Sequence, residues 1–305
     1  MAMTIKERFK EFTKPNYYSR ADSEHILDLY IGLDSKSRKC IELREKFTPR
    51  KIKSSSAIEV SQYSRPEYNT LQFSLVEDTL SGLFYKFCED LIEQTRSVQE
   101  KSEGYLAVVN RFHLWRKMFT PGKKTVLSEM SIMGLIGEIL FMQGPLADRI
   151  GLSQALKSWS GQELTHKDFS YGDTWSEVKT ISKSSTAVKI SSLEQLDSDK
   201  EGELVVYSLE KMSEKYDGIT LNKLIMQTMN LFPDISERDS FLTKVAVQGY
   251  EYNDYYDYYV YALDQIRKYS VTQEFPKLTK DIVCSAIIKA EYQISLNEIK
   301  DYEIK

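Results

Sequence analysis

The sequence predicts an α/β or α+β core with a β-rich N-terminal region attached. Three observations carry this expectation. The first third alternates apolar and polar residues with a period of two. A helical block follows, with apolar residues spaced in threes and fours. Short strand-like segments then appear between further helical ones. At 305 residues, with 41% hydrophobic and 28% charged residues, the chain holds one large domain or two modest ones with a real core.

Taken in order, residues 25–33 (HILDLYIGL), 57–63 (AIEVSQY) and 70–76 (TLQFSLV) read as strands, and the polar, basic stretch 48–56 between them reads as a loop. Residues 83–95 and 105–119 follow with helical spacing, the latter using Leu106, Val109, Phe112, Trp115 and Phe119. Pro121-Gly122 marks a turn before a third helix over 126–143. Short strands are then expected at 174–182, 187–192 and 204–209, helices at 220–231 and 237–247, and strands at 258–263 and 287–296. No repeat of solenoid or propeller period is present. The expected division is a β-rich region over 1–78, for DNA or partner recognition, and a second domain over 79–305.

Composition narrows the function classes. The three cysteines, Cys40, Cys88 and Cys284, have no CxxC spacing and read as buried free thiols of a reducing cytoplasm. Three histidines (His25, His113, His166) are too few for a zinc site or a multi-histidine catalyst. The net charge of −4 removes any global basic field, so phosphate binding would rest on local clusters: Arg50-Lys51-Lys53, Arg116-Lys117 and Lys123-Lys124. For each of these an ordinary solvated surface is a simpler reading than a DNA contact. No stretch is expected to reach the roughly 20 apolar residues of a membrane span, and the charged start MAMTIKERFKEF does not resemble a secretion signal. GxGxxG, GxxxxGK[ST] and GxSxG are absent, which argues against the dinucleotide, P-loop and serine-hydrolase chemistries. The run YEYNDYYDYYVY (250–261) interleaves tyrosines with Glu251, Asp254 and Asp257 and no cation. It suits a half-exposed element edge rather than a stacking platform, which needs cations beside it.

The informative segment is DFSYGDTWSEVKTIS (168–182). Tyr171-Gly172-Asp173 signals a turn, so two strands join as a hairpin. On the second strand Glu177 and Lys179 share a face and Val178 points to the other. Asp168, near the start of the first strand, comes back beside Glu177. Two carboxylates and an amine at a sheet edge suit phosphodiester cleavage. Mg²⁺ takes hard oxygen ligands and keeps several waters, so Asp168, Glu177 and the Val178 carbonyl suffice from the protein. Lys179 would orient the attacking water or stabilise developing charge. From spacing alone, a solvated hairpin with a same-face Glu–Lys pair is the more economical reading, and Asp173 competes with Asp168. Glu138, amid apolar residues in MGLIGEILFM, is expected to be partly buried and in need of partners.

In this order — a helix with a Glu, then Asp-x(n)-Glu-x-Lys on a hairpin, then a further strand — the chain resembles the PD-(D/E)XK nucleases. More narrowly, it resembles the PD-(D/E)XK family members found among bacterial restriction and phage-defence genes. The segments that carry the likeness are GLIGEILFM, DFSYGDTWSEVKTIS, VKISSLEQLD and the tail RKYSVTQEFPKLTKDIVCSAIIKAEYQISL. The resemblance implies a restriction-endonuclease-like core, a mixed sheet flanked by helices. It implies a site of Glu138, Asp168, Glu177 and Lys179, with Gln195 as a weaker member. It also implies a Mg²⁺-dependent endonuclease acting on double-stranded DNA, Mn²⁺ substituting, in restriction or phage defence, cutting as a homodimer. The alternatives are a subunit licensed by a methyltransferase or ATPase partner, and a non-cutting scaffold. Ser182, Lys183, Lys189 and Gln195 are the candidate DNA contacts, with plain solvent exposure the simpler reading of each. One departure is visible: His166-Lys167 precede Asp168, so the proline of the motif is missing.

Overall fold

The structure, a computed structural model, describes residues 3–116, 118–119, 126–160, 167–284 and 286–304. His166, Lys117, Lys123 and Lys124 lie outside the described residues. The chain divides into two compact units, 1–124 and 125–305.

In the first unit, period-two alternation becomes a five-stranded antiparallel sheet. Its strands are β1 (Tyr17–Arg20), β2 (Leu29–Leu33), β3 (Lys39–Glu45), β4 (Ile58–Ser64) and β5 (Asn69–Leu75), in the order β1-β2-β3-β5-β4. The segment expected as one strand over 25–33 forms β2 only in its second half. His25 instead has its ring buried, with Nδ1 accepting the Leu27 amide at 3.0 Å. A short helix, α1 (Ile5–Glu11), precedes the sheet. It is fixed by a capping box in which Thr4 accepts the Glu7 amide and Glu7 accepts the Thr4 amide.

Helices α2 (Ser81–Gln94) and α3 (Lys101–Trp115) belong to this unit, which displaces the boundary expected at 78/79. The cause is packing. Phe73 of β5 meets Phe112 of α3 at 4.5 Å and Phe87 of α2 at 5.7 Å between ring centroids, so the helices cover the apolar face of the sheet. Separating them would expose that face to water.

The second unit holds a mixed sheet flanked by helices. Its strands are β6 (Phe169–Tyr171), β7 (Thr174–Ser182), β9 (Gly202–Met212), β10 (Val260–Val271) and β12 (Glu303–Ile304), in the order β12-β10-β9-β7-β6. β7 and β9 are parallel and the other pairs antiparallel. A two-stranded sheet pairs β8 (Ala187–Ile190) with β11 (Tyr292–Ser295). The helices are α4 (Glu129–Phe141), α5 (Ala147–Ile150), α6 (Leu152–Ser158), α7 (Leu221–Leu231) and α8 (Ile235–Val247). Side-chain caps set three of their starts: Ser128 on Ser131, Thr220 on Lys223 and Asp234 on Ser236 and Glu237. Trp175, Ile181, Leu204, Val206 and Tyr269 build the core over the sheet.

Three expectations need correction here. The strand expected over 258–263 runs to Val271, because pairing with β9 carries the polar residues Gln265, Arg267 and Lys268 into the ladder. The helical run Glu129–Ile150 is, by length and composition, long and apolar enough to cross a membrane, contrary to the expectation for the chain. Its apolar residues Ile132, Leu135, Ile136 and Ile139 are instead buried in the protein. Cys284 is exposed while Cys40 and Cys88 are buried, since residue 284 lies outside any helix or strand, between β10 and β11. Within the tyrosine run, Asp254–Tyr258 forms a 3₁₀ turn and β10 begins at Val260.

Candidate active site

Gly172 supplies the positive φ (54°) that the first central position of a two-residue hairpin loop requires. It joins β6 to β7 in the register Phe169↔Ser176 and Tyr171↔Thr174. Extending that register by one residue sets Asp168 opposite Glu177. The β6 ladder stops there, and the Asp168 carboxylate takes the next amide in the row, accepting the Val178 N–H at 2.8 Å. A strand residue directs its N–H and C=O to the same side, so the Val178 carbonyl also faces the edge left open beyond β6.

Glu177 is fully buried. Its Oε1 accepts Lys179 Nζ at 2.8 Å, and its Oε2 is buried with no hydrogen-bond partner. Burial, and then the Asp168 charge, push the Glu177 carboxyl up to about 8. Burial also raises Asp168, against the opposing pull of Lys179 and the Val178 amide. Burial works against the charge on Lys179, but Glu177, Asp168 and Glu138 outweigh it and hold the amine protonated.

Glu138 approaches from α4. The preceding Gly137 makes this possible: a Cβ there would lie 2.0 Å from Thr180 Oγ1, so glycine lets the helix lie this close to β7 without displacing the Thr180 side chain. Glu138 Oε2 accepts Trp159 Nε1 at 2.7 Å and Gln248 Nε2 at 3.1 Å. Burial and then Asp168 raise its carboxyl well above the ordinary range. Trp159 and Gln248 come from distant positions and carry no local sequence signal.

Lys167 is a further participant that the sequence reading passed over. The residue is buried, and its ammonium donates to the carbonyls of Glu194 (2.6 Å), Gln195 (2.9 Å) and Asp197 (2.9 Å) and lies 4.0 Å from the Trp175 ring centroid. Burial lowers its pKa to about 8. A residue with no partner pattern in sequence thus ties the turn after β8 to the start of the β6–β7 hairpin.

The structure brings Glu138, Asp168, Glu177 and Lys179 together. Asp173 is elsewhere: it sits fully exposed on the hairpin tip, paired with Lys200 at 2.8 Å. Gln195 turns its side chain onto the Ser191 amide (2.7 Å). Lys183 pairs with Glu210 (2.8 Å) and Asp264 (3.5 Å), and Lys189 with Glu291 (2.8 Å). Ser182 faces Ser184 at 3.3 Å. The candidate DNA-contact lysines are therefore already matched by carboxylates.

Among the described residues, no group of three or more His, Cys, Asp or Glu side chains is arranged as a metal cage. The donors present nevertheless fit a hard divalent cation that keeps most of its waters. The orphaned Glu177 Oε2, the adjacent Asp168 and the Val178 carbonyl are all oxygen donors, and the raised carboxyl pKa values mark a site short of positive charge.

No curated protein and no solved structure matches the sequence. A family model does, over nearly the whole chain: the one described as "Putative PD-(D/E)XK family member, (DUF4420)" covers residues 5–297, and the chain belongs to that family.

Proposed function

We propose that the chain is a metal-dependent DNA endonuclease hydrolysing phosphodiester bonds, in restriction or phage defence, with Asp168, Glu177 and Lys179 as its catalytic residues. The observation that carries this reading is the buried, unpartnered Glu177 Oε2 beside Asp168, with Lys179 on the same strand face. A bound divalent cation, Mg²⁺ with Mn²⁺ as substitute, would be held by Asp168, Glu177 and the Val178 carbonyl, and would supply Lewis acidity to the scissile phosphate.

The remaining steps belong to the chain. Asp168 is oriented by the Val178 amide, which binds one of its two oxygens. Lys179, kept protonated by three carboxylates, sits where a compact cation can orient an attacking water or meet charge developing on phosphate. Glu138 acts as a positioning residue: it accepts hydrogen bonds from Trp159 and Gln248 and so ties α4 to the elements that surround the site.

A second reading has its own support. Lys183 and Lys189 are ion-paired, and the net charge is −4, so phosphate affinity near the site is low without rearrangement. That favours a nuclease subunit licensed by a partner, or a homodimer whose second copy completes the DNA surface.

Supercoiled plasmid incubated with Mg²⁺, Mn²⁺ or EDTA tests both readings. Metal-dependent nicking or linearisation lost in Asp168→Ala and Lys179→Ala supports the nuclease and this site. Cleavage unchanged in both variants refutes the site. With no cleavage by the wild type, calorimetric Mn²⁺ binding abolished by Asp168→Ala and kept by Lys179→Met supports the licensed subunit, and no binding at all refutes the metal chemistry.

A further inference from the structure

The N-terminal sheet has a second face, turned away from α2 and α3. Strand register places Tyr30, Glu42, Gln72 and Ser61 in one row across it, and Arg44, Thr70 and Tyr63 in the next. Among the described residues no helix of the unit covers this face, yet Glu42, Gln72 and Thr70 are each at most 5% exposed. They lie at the floor of a cavity of about 490 Å³ whose walls include Tyr18, Tyr63, Tyr68 and Arg65. That volume falls within the roughly 300–1,000 Å³ of small-ligand sites.

The floor is preorganised. Glu42 accepts Arg44 on one oxygen and Gln72 Nε2 (3.0 Å) on the other, and Gln72 also donates to the Tyr18 hydroxyl (3.1 Å). The Arg44 guanidinium lies 4.0 Å from the Tyr30 ring centroid and 5.1 Å from that of Tyr18. Within this braced set one group is left over: Thr70 Oγ1 is buried and has no hydrogen-bond partner. A buried polar atom in a cavity wall is normally matched by what fills the cavity.

We propose that this cavity binds a nucleotide whose base carries an exocyclic amino group. The floor is rich in acceptors. The Glu42 oxygens accept Arg44 and Gln72 and keep further lone-pair capacity, and among the described residues the Gln72 carbonyl accepts the Ser74 hydroxyl at 3.3 Å. A ligand edge must therefore bring a donor, as the amino groups of cytosine and adenine do and the thymine edge, with two carbonyls, does less well. Thr70 Oγ1 gives or accepts the adjoining bond. Tyr63 and Tyr68 supply ring faces at the mouth for stacking, and Arg65, exposed on the β4–β5 turn, supplies a cation for the attached phosphate. The nucleotide is either free or an extruded member of a DNA strand. Only the second source rests on the DNA substrate proposed above.

Calorimetric titration of the full chain in EDTA, where no cleavage occurs, tests this independently of the nuclease reading. The probes are dCMP, dAMP and dTMP. The expected result is binding of dCMP or dAMP about tenfold tighter than dTMP. Thr70→Val and Tyr63→Ala weaken it about fivefold or more, Thr70→Ser restores it, and Lys179→Met leaves it unchanged. Circular dichroism of each variant checks the fold. No binding of any probe, equal binding of dTMP, or indifference to Thr70→Val and Tyr63→Ala together overturns the proposal. Competition by a duplex with one bulged cytosine, and not by the fully paired duplex, assigns the source to DNA. Its absence, with the monophosphate still bound, assigns a free nucleotide.

Discussion

Asp168 accepts the backbone N–H of Val178 at 2.8 Å, so the first carboxylate of the site is hydrogen-bonded to the strand that carries the second. This bond fixes position, while the charge of Asp168 serves any cation. The two roles separate by mutation. Asp168→Asn keeps an oxygen able to accept the amide and removes the charge. It should leave the melting temperature near wild type while metal-dependent cleavage falls by roughly 10²–10³ or more. Asp168→Ala should lower both. Cleavage by Asp168→Asn within a few-fold of wild type would remove Asp168 from the catalytic set.

Glu177 makes the metal-free protein sensitive to alkali. Its carboxyl sits at about 8 in the folded chain against an ordinary value of 4.5. Between those values the folded state holds more protons than the unfolded one, so stability is full below about pH 4.5 and declines as pH rises through 8. The slope is at most about 1.4 kcal/mol per pH unit for one such group. Asp168 and Glu138, also raised, act in the same direction. Thermal melts in EDTA from pH 5 to 8.5 should therefore show a falling midpoint, flattened in Glu177→Gln and reversed at pH 8 by Mn²⁺. A midpoint that rises with pH would mean these carboxylates are ionised and fully compensated in the fold.

Gly137 and Gly134 lie one helical turn apart on α4 and should respond oppositely to alanine. At Gly137 the new methyl meets Thr180 Oγ1 at 2.0 Å; at Gly134 nothing lies within 4 Å. Gly137→Ala should cost about 1–3 kcal/mol through overpacking and displace Glu138 from the site, with a matching loss of activity. Gly134→Ala should stabilise by about 0.5–1 kcal/mol from helix propensity alone. Urea unfolding of the two variants decides it, and equal effects would mean that α4 is not held against β7 by this contact.

The hairpin was legible in the sequence because its determinants are local. A glycine at a two-residue turn sets the register, and period two then places Glu177 and Lys179 on one face. The same logic found β4, β5, α7 and most of β9. It failed where non-local pairing decides. The second half of β10 is polar and becomes strand by lying between β9 and β12. Strand β3 (KCIELRE) has no element assigned to it from sequence, because its charged residues mask the alternation until the sheet face that receives Glu42 and Arg44 is known. The carboxylates and lysine of the site were readable as a motif. Trp159, Gln248 and Lys167, which hold that motif in place, were not, because each meets its partner only through tertiary packing.

Lys167 offers the sharpest separation of support from chemistry. Its ammonium satisfies three carbonyls, of Glu194, Gln195 and Asp197, from a buried position beside the Trp175 ring. Lys167→Met keeps the length and apolar stem but leaves those carbonyls without their donor, at about 1–3 kcal/mol for the first and less for any that water reaches. Unfolding should therefore occur at lower urea concentration. If Lys167 acts only by anchoring the turn, Mn²⁺ affinity measured well below the transition should stay within about threefold of wild type, because the Asp168 and Glu177 oxygens are untouched. If its charge also tunes the site, its loss removes a cation that lowers the carboxyl pKa of both Asp168 and Glu177. The pH at which Mn²⁺ binding is half-maximal should then move upward in Lys167→Met. An unshifted pH profile together with lost stability assigns Lys167 to the scaffold, and an upward shift assigns it to the electrostatics of the site as well.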